Sequence, residues 1–321
     1  MDARKLRHLL EYFAFRSLVC VVQTLSPRSC VSLAKGLAWV IFRVLPRKMT
    51  RYAVARDNLQ QAFGDRYADA ELDDIIYRMW VHLFRLVTEI IHLPRKLRLS
   101  NIVEAVDFRG RTDAISALCS GRPVMVVSGH FGNWEMAVSV FGLFGFPMGL
   151  VARDLDNPYL NRWFLQFRKF TGHRPISKNG GGADVTWLLQ RRGHVALLGD
   201  QDAGPNGLFV NFFGRQASTY KSIALLAREY NALICVGYAR RLDHETLDNG
   251  WPRYEIGCEE VIDPLACQTD DVLKETTQLF TAALERVIRR SPEQYFWVHR
   301  RWKSVARARV GRNKLASRKA G

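Results

Sequence analysis

An α/β fold, with a mixed and mostly parallel sheet flanked by helices, follows from three features of the sequence. After Asn101 short β-rich runs alternate with helical ones, which is the pattern of a sheet covered by helices. The run Pro123 to Ser128 is apolar and β-branched, as a buried strand requires, and 48% of the 321 residues are hydrophobic, enough for a large core. Further strand-like runs are Met148 to Ala152, His194 to Leu198, Ala232 to Tyr238 and Tyr254 to Ile256.

Residues 1–60 are expected to form a separate membrane-associating segment of helices. Two apolar stretches, from Leu9 and from Cys30, are interrupted by Arg16 and by Lys35 and Arg43. A clean spanning helix needs roughly 20 predominantly apolar residues, and these stretches fall short or are broken. A pair of helices lying in the headgroup boundary fits better, with Arg4, Lys5, Arg7, Arg28, Arg47 and Lys48 meeting anionic lipid. A single tilted span through the first stretch, or ordinary amphipathic helices packed on the core, are the alternatives. Residues 61–303 would then be the α/β domain, entered through a helical stretch broken at Gly64-Asp65. Its last helix opens on an Asp-rich turn and ends in cations before Pro292, as the helix dipole favours. Residues 304–321, basic and nearly free of large apolar side chains, are expected to be a disordered tail.

A formal charge of +16 and an isoelectric point near 9.9 point to a polyanionic neighbour without choosing among nucleic acid, membrane and an acidic carrier. The six cysteines are scattered, with no Cys-x-x-Cys pair, and read as reduced core residues. No cleavable signal peptide is evident.

The chemistry is expected at "VSGHFGNWEMA", residues 127–137, where His130 leaves the C-terminal end of a predicted strand. On one helix, positions five apart are roughly 140° away from each other, so His130 and Glu135 share a face only if the chain turns between them. Gly129 and Gly132 permit that turn, and Asn133 suits the cap of a following helix, bringing Glu135 back toward the imidazole. A carboxylate on one ring nitrogen fixes the tautomer and strengthens the other nitrogen as a base. A solvent-facing histidine with a capping glutamate would use the same residues.

"HFGNWE" resembles the His, four residues, acidic signature of glycerolipid-type acyltransferases, in the form seen in the bacterial lipid A late acyltransferase family. The start of the chain to Leu59, "VARDLDNPYLNRWFLQFRKFTG", "GDQDAGPNGLFVNFFGRQAST" and "PEQYFWVHRRWK" resemble that family's other blocks, in order. The resemblance implies a glycerol-3-phosphate acyltransferase-like fold and direct acyl transfer from a thioester, with His130 as general base and Glu135 orienting it. The main-chain amides around Phe131 to Asn133 are expected to hold the oxyanion. Arg153, in the family's second block, is placed to meet an anionic part of a substrate, or else pairs with Asp154 or Asp156. Asn157 and Arg162 are weaker candidates. Asp200 supports the active-site loop or orients a substrate sugar, Asp202 is a turn residue, and Asn133 and Arg215 complete the candidate substrate-binding set. Phe209, Phe212 and Phe213 either line an acyl pocket or belong to the core. No metal site is expected, because Asp200 and Asp202 lack further acidic partners, and "NGGGADVT" lacks the Gly-Lys-Ser/Thr ending of a phosphate loop.

The expected function is a membrane-associated O-acyltransferase that moves a fatty acyl chain to a hydroxyl of a glycolipid, a lipid A precursor first, on the cytoplasmic face of the bacterial inner membrane. The expected partners are acyl carrier protein or acyl coenzyme A as co-substrate and anionic lipid, with no cofactor and no nucleic acid. A phosphatidylinositol mannoside acyltransferase is the rival within the superfamily. A non-catalytic basic protein binding membrane or nucleic acid explains the charge but not the ordered blocks.

Overall fold

The structure, a computed structural model, describes residues 2–305. Four helices lead in: α1 (Ala3–Thr24), α2 (Pro27–Trp39), α3 (Tyr52–Phe63) and the long α4 (Asp69–Lys96). The α/β part follows as α5 (Ile102–Ala105), β1 (Val106–Arg109), α6 (Arg111–Leu118), β2 (Val124–Ser128), α7 (Trp134–Leu143), β3 (Met148–Ala152), α8 (Pro158–Lys169), β4 (Arg174–Ser177), α9 (Gly182–Gln190) and β5 (His194–Leu198). It closes with the hairpin β6 (Leu208–Phe212) and β7 (Arg215–Thr219), then α10 (Lys221–Glu229), β8 (Leu233–Thr246), β9 (Pro252–Ile262) and α11 (Val272–Arg290).

Seven strands form one sheet in the order β1-β9-β8-β2-β5-β3-β4, in which β8, β2, β5, β3 and β4 run parallel and β9 turns back against β8. The mostly parallel α/β architecture expected from the sequence is therefore present. Side chains alternate across the sheet. Met125 and Val127 of β2 pack with Ile223 of α10 and Phe280 of α11, whereas Val124 and Val126 pack with Leu118 of α6 and, more loosely, Phe141 of α7. With both faces covered, β2 is buried at every position, which explains why it reads as a continuous apolar run.

Strands β3 and β5 have the bounds that their apolar runs predict, while β1, β4, β6 and β7 are not apparent from the sequence. For β4 the reason is physical: Pro175 cannot donate to a ladder, and the strand is tolerated because it lies at the sheet edge. The cysteine expectation holds for Cys30 and Cys235, which are buried, and fails for Cys20 and Cys119, which are exposed.

Helix α1 buries His8, Val19 and Val22 on one side. Leu6, Leu10, Phe13 and Val21, at helical spacing on the other, are 45%, 61%, 62% and 56% exposed. Trp39, Val40, Val44 and Met49 at the end of α2 and after it are also exposed. Among the described residues no helix is long and apolar enough to cross a membrane. The expected basic tail, from residue 306 onward, lies outside the described residues.

Candidate active site

The site grows out of the pairing of two strands. β2 and β5 are parallel neighbours with Ser128 opposite Leu198, and each strand is followed by a glycine and then a polar residue: Gly129 and His130, Gly199 and Asp200. The shared register places His130 beside Asp200. A Cβ on Gly129 would lie 3.3 Å from the Asp200 side chain, so the close approach depends on glycine there. His130 Nδ1 then donates to Asp200 Oδ1 at 2.8 Å, and the His130 amide donates to Asp200 Oδ2, also at 2.8 Å.

This geometry decides the protonation states. Burial would raise the Asp200 carboxyl, but His130 and Arg301 outweigh it and hold the group down to about 2, so Asp200 is an anion that only accepts. Its partner nitrogen, Nδ1, must carry the proton, which leaves Nε2 of neutral His130 as a free base. Burial opposes the imidazolium, yet Asp200 prevails and the His130 pKa is raised above the ordinary imidazole value. The imidazole is thus oriented by one contact and better able to hold an acquired proton.

The carboxylate on His130 is therefore that of Asp200, and Glu135 is engaged elsewhere. Glu135 lies in the first turn of α7, 5% exposed, and accepts two bonds from Arg168 in the last turn of α8, at 2.6 and 3.3 Å. The expected fold-back does occur in the main chain, with Gly132 at φ +57° and Asn133 Oδ1 accepting the Met136 amide at 3.0 Å to cap α7. It delivers Glu135 to a cavity wall rather than to the imidazole. That cavity lies between α7 and the sheet, lined by Val126, Ala137, Val138, Phe141, Leu150, Ala196, Leu198 and Gly237, with Trp134 and the Glu135–Arg168 pair also in its wall. The Trp134 ring stands edge-on to His130, 5.3 Å between centroids. A base with a free nitrogen thus stands against the Trp134 ring that walls an apolar slot, an arrangement suited to deprotonating a hydroxyl near a bound hydrocarbon chain.

Comparison with known proteins identifies the family. A family model described as bacterial lipid A biosynthesis acyltransferase matches residues 2–304. The chain belongs to that family. Among its relatives, a lipid A biosynthesis palmitoleoyltransferase of Escherichia coli (strain K12) is 26% identical over 79% of each chain. A phosphatidylinositol mannoside acyltransferase of Mycolicibacterium smegmatis is 28% identical over 63% of this chain and 72% of its own. A lipid A biosynthesis lauroyltransferase of Escherichia coli is 26% identical over 57% of each.

In this lipid A acyltransferase family member several side chains singled out from the sequence stand apart from the cavity. Phe212 and Phe213 are 1% and 4% exposed in a core with Phe63, Trp297 and Trp302, and half-buried Phe209 belongs to the same β6–β7 hairpin, so the apolar cavity is built from other residues. Arg215, exposed on β7, bonds Gln61 of α3. Asn133 is fully buried, its side chain consumed by the α7 cap and by Glu89, which leaves no access for substrate. Arg153 is exposed at the end of β3 and pairs with Asp156 at 3.3 Å. Asn157 caps α8 and donates to the His8 carbonyl and Glu11 of α1, while Arg162 is exposed. Asp202 accepts the Gly204 amide at 3.1 Å, as a turn residue does. The amides of Gly132 and Asn133 donate to the carbonyls of Gln294 and Ala239, so neither is free for an oxyanion. Arg168 carries only one signal in the sequence, a cation in the last turn of an amphipathic helix rich in aromatics.

Proposed function

We propose that this acyltransferase is membrane-associated and moves a fatty acyl chain from a thioester to a hydroxyl of a glycolipid, with a lipid A precursor as acceptor and His130 as general base. His130 Nε2 takes the proton of the acceptor hydroxyl as its oxygen attacks the thioester carbonyl, and Asp200 stabilises the imidazolium. The tetrahedral intermediate collapses with cleavage of the carbon–sulfur bond, and the imidazolium returns its proton to the departing thiolate. First-turn amides of a helix have no intrahelical acceptor, and those of Trp134 and Glu135, beside the cavity, are the proposed oxyanion donors. The acyl chain would occupy the slot under α7.

The observation that carries the reading is the His130–Asp200 pair, whose imidazole meets the Trp134 ring in the wall of an apolar cavity. The exposed apolar stripe of α1, flanked by Arg4, Lys5, Arg7 and Arg16, supports association with an anionic membrane surface, for which the cytoplasmic face of a bacterial inner membrane is the proposed setting. The match to the mannoside acyltransferase favours a second acceptor class, and the basic surface suits either an acidic acyl carrier protein or the phosphates of coenzyme A as donor. The test is acyl transfer by purified protein in detergent, offering both thioesters against a lipid A precursor and a phosphatidylinositol mannoside. Transfer to the precursor that disappears with His130→Ala supports the reading. Transfer to the mannoside alone reassigns the acceptor, and none by folded protein on either overturns it.

A further inference from the structure

Behind the turn that carries His130 lies a group of charged side chains for which the proposed reaction has no use. Glu89 and His82 of α4 and Arg241 of β8 are 5%, 2% and 3% exposed. Arg241 donates through Nη1 to both Glu89 oxygens at 3.0 and 3.2 Å, through Nε to Asp243 at 3.0 Å and through Nη2 to His82 Nδ1 at 2.8 Å. Arg85 closes the group, 2.8 Å from Asp243 and 3.7 Å from Glu89. Burial and the neighbouring Arg241 keep His82 neutral, well below the ordinary imidazole range. Apolar side chains packed in place of a buried ion pair are often no less stabilising, so stability by itself does not account for the cluster.

Its contacts with the turn do. Glu89 Oε2 accepts Asn133 Nδ2 at 3.2 Å while Asn133 Oδ1 caps α7. On the other side, the Arg241 main chain exchanges two bonds with the Gln294 side chain, at 2.9 and 2.8 Å, and the Gln294 carbonyl accepts the Gly132 amide at 2.9 Å. Gly132 itself is pressed onto β8, where a Cβ would lie 1.8 Å from the Ala239 carbonyl oxygen. Both sides of the segment following His130 are therefore anchored to the cluster.

We propose that Glu89 and Arg241 are positioning residues, which act through Asn133 and Gln294 to keep the His130 imidazole on Asp200. The proposal rests on the general-base reading of His130. Severing the tie lets the imidazole leave its carboxylate, so the fraction of molecules with Nε2 aimed at the acceptor falls. The charged or titratable groups that act on His130 are Asp200 after β5, Lys178 after β4 and His299 in the C-terminal segment. Of these Asp200 alone favours the imidazolium, so loss of that contact moves the His130 titration to lower pH.

The experiment compares full-length wild-type protein, Glu89→Leu, which leaves no acceptor for Asn133, and Asn133→Ser in detergent, each labelled with 13C-histidine, with the His130 resonance assigned by its absence from His130→Ala. Serine keeps a capping oxygen for α7 and removes the amide that reaches Glu89. The expected result is a His130 titration shifted down in both variants, with kcat reduced about tenfold or more, part of the ~10²–10⁴ that a general base contributes, and KM little changed. Folded variants with wild-type titration overturn the proposal, whether kcat is normal or reduced, since a reduced rate with His130 unmoved reflects general loosening. If Glu89→Leu does not fold, Asn133→Ser decides by the same criteria. The titration needs no turnover, so wild-type protein inactive on every acceptor would overturn the function while the resonance still judges the tie.

Discussion

His130 and Asp200, seventy positions apart in the chain, meet because Ser128 and Leu198 are register partners on adjacent parallel strands, and the imidazole Nδ1 donates to the carboxylate at 2.8 Å. The contact is thus a property of the sheet rather than of a local turn. Its first consequence is that the two side chains act as a unit. Asp200→Asn presents an amide that can favour the wrong tautomer, and is expected to lower kcat by about 10²–10⁴, as does His130→Ala. Because one defect already forfeits the other's contribution, the double variant should be no slower than the slower single one. Single-turnover rates from a radiolabelled thioester measure this, and multiplicative losses would show that the residues work independently.

The pH dependence follows from the same pair. A general base must be unprotonated, so activity falls as pH drops through the raised His130 value, above the usual ~6.5. In Asp200→Asn burial acts on the imidazolium without its counter-ion, and the acid limb of the residual rate should move to lower pH. Stability responds with two signs. The stabilisation from His130 is full below its unfolded-state value and is lost as pH rises through the raised folded one. That from Asp200 is full above the unfolded carboxylate value and is lost as pH falls toward about 2. Melting temperatures of wild type and Asp200→Asn across the acid range should converge at the low end, and parallel curves would deny the linkage.

The two halves of the site differ in how far the sequence discloses them. "VMVVSGH" and "VALLGD" share one pattern, an apolar strand, a glycine and a polar residue, and either is readable as a strand end where a sheet places its chemistry. That the two strands are neighbours is a fact of topology, which spacing along the chain does not encode. The nearer Glu135 therefore looks like the partner of His130, although α7 turns its carboxylate to Arg168. The phenylalanines of "FVNFFGRQAST" mislead for a related reason: hydrophobicity marks Phe212 and Phe213 as buried but does not distinguish core from cavity wall. The cavity is lined instead by small and branched residues such as Ala137, Ala196 and Gly237, which leave space rather than fill it.

That distinction predicts donor selectivity. Ala196 is 5% exposed on β5 and faces the slot beneath α7. Ala196→Leu adds three carbons to the wall, and a methylene gained or lost in an apolar pocket is worth ~1–3 kcal/mol of discrimination. The variant should lose kcat/KM on long-chain thioesters by about tenfold or more and change little on short ones. Competition between acyl donors of different length measures the ratio. An equal loss on all lengths would place the chain elsewhere.

The stripe on α1 predicts a membrane contact that depends on side chains the fold does not use. Leu10 and Phe13 are 61% and 62% exposed, whereas Val19 and Val22 of the same helix are 2% and 1% exposed against the protein. Substituting Leu10→Asp and Phe13→Asp should therefore leave the melting temperature nearly unchanged. Burial of a leucine or phenylalanine side chain is worth ~1.5–3 kcal/mol, and a carboxylate also repels anionic lipid, so vesicle affinity should fall by about tenfold or more per site. Co-sedimentation with phosphatidylglycerol-containing and neutral vesicles measures both contributions. The apolar loss should persist on neutral lipid, and the difference between the two vesicle types should shrink with salt, because only the contribution from Arg4, Lys5, Arg7 and Arg16 is screened. Unaltered sedimentation of the double variant would show that α1 does not enter the lipid and that its apolar face awaits a different partner.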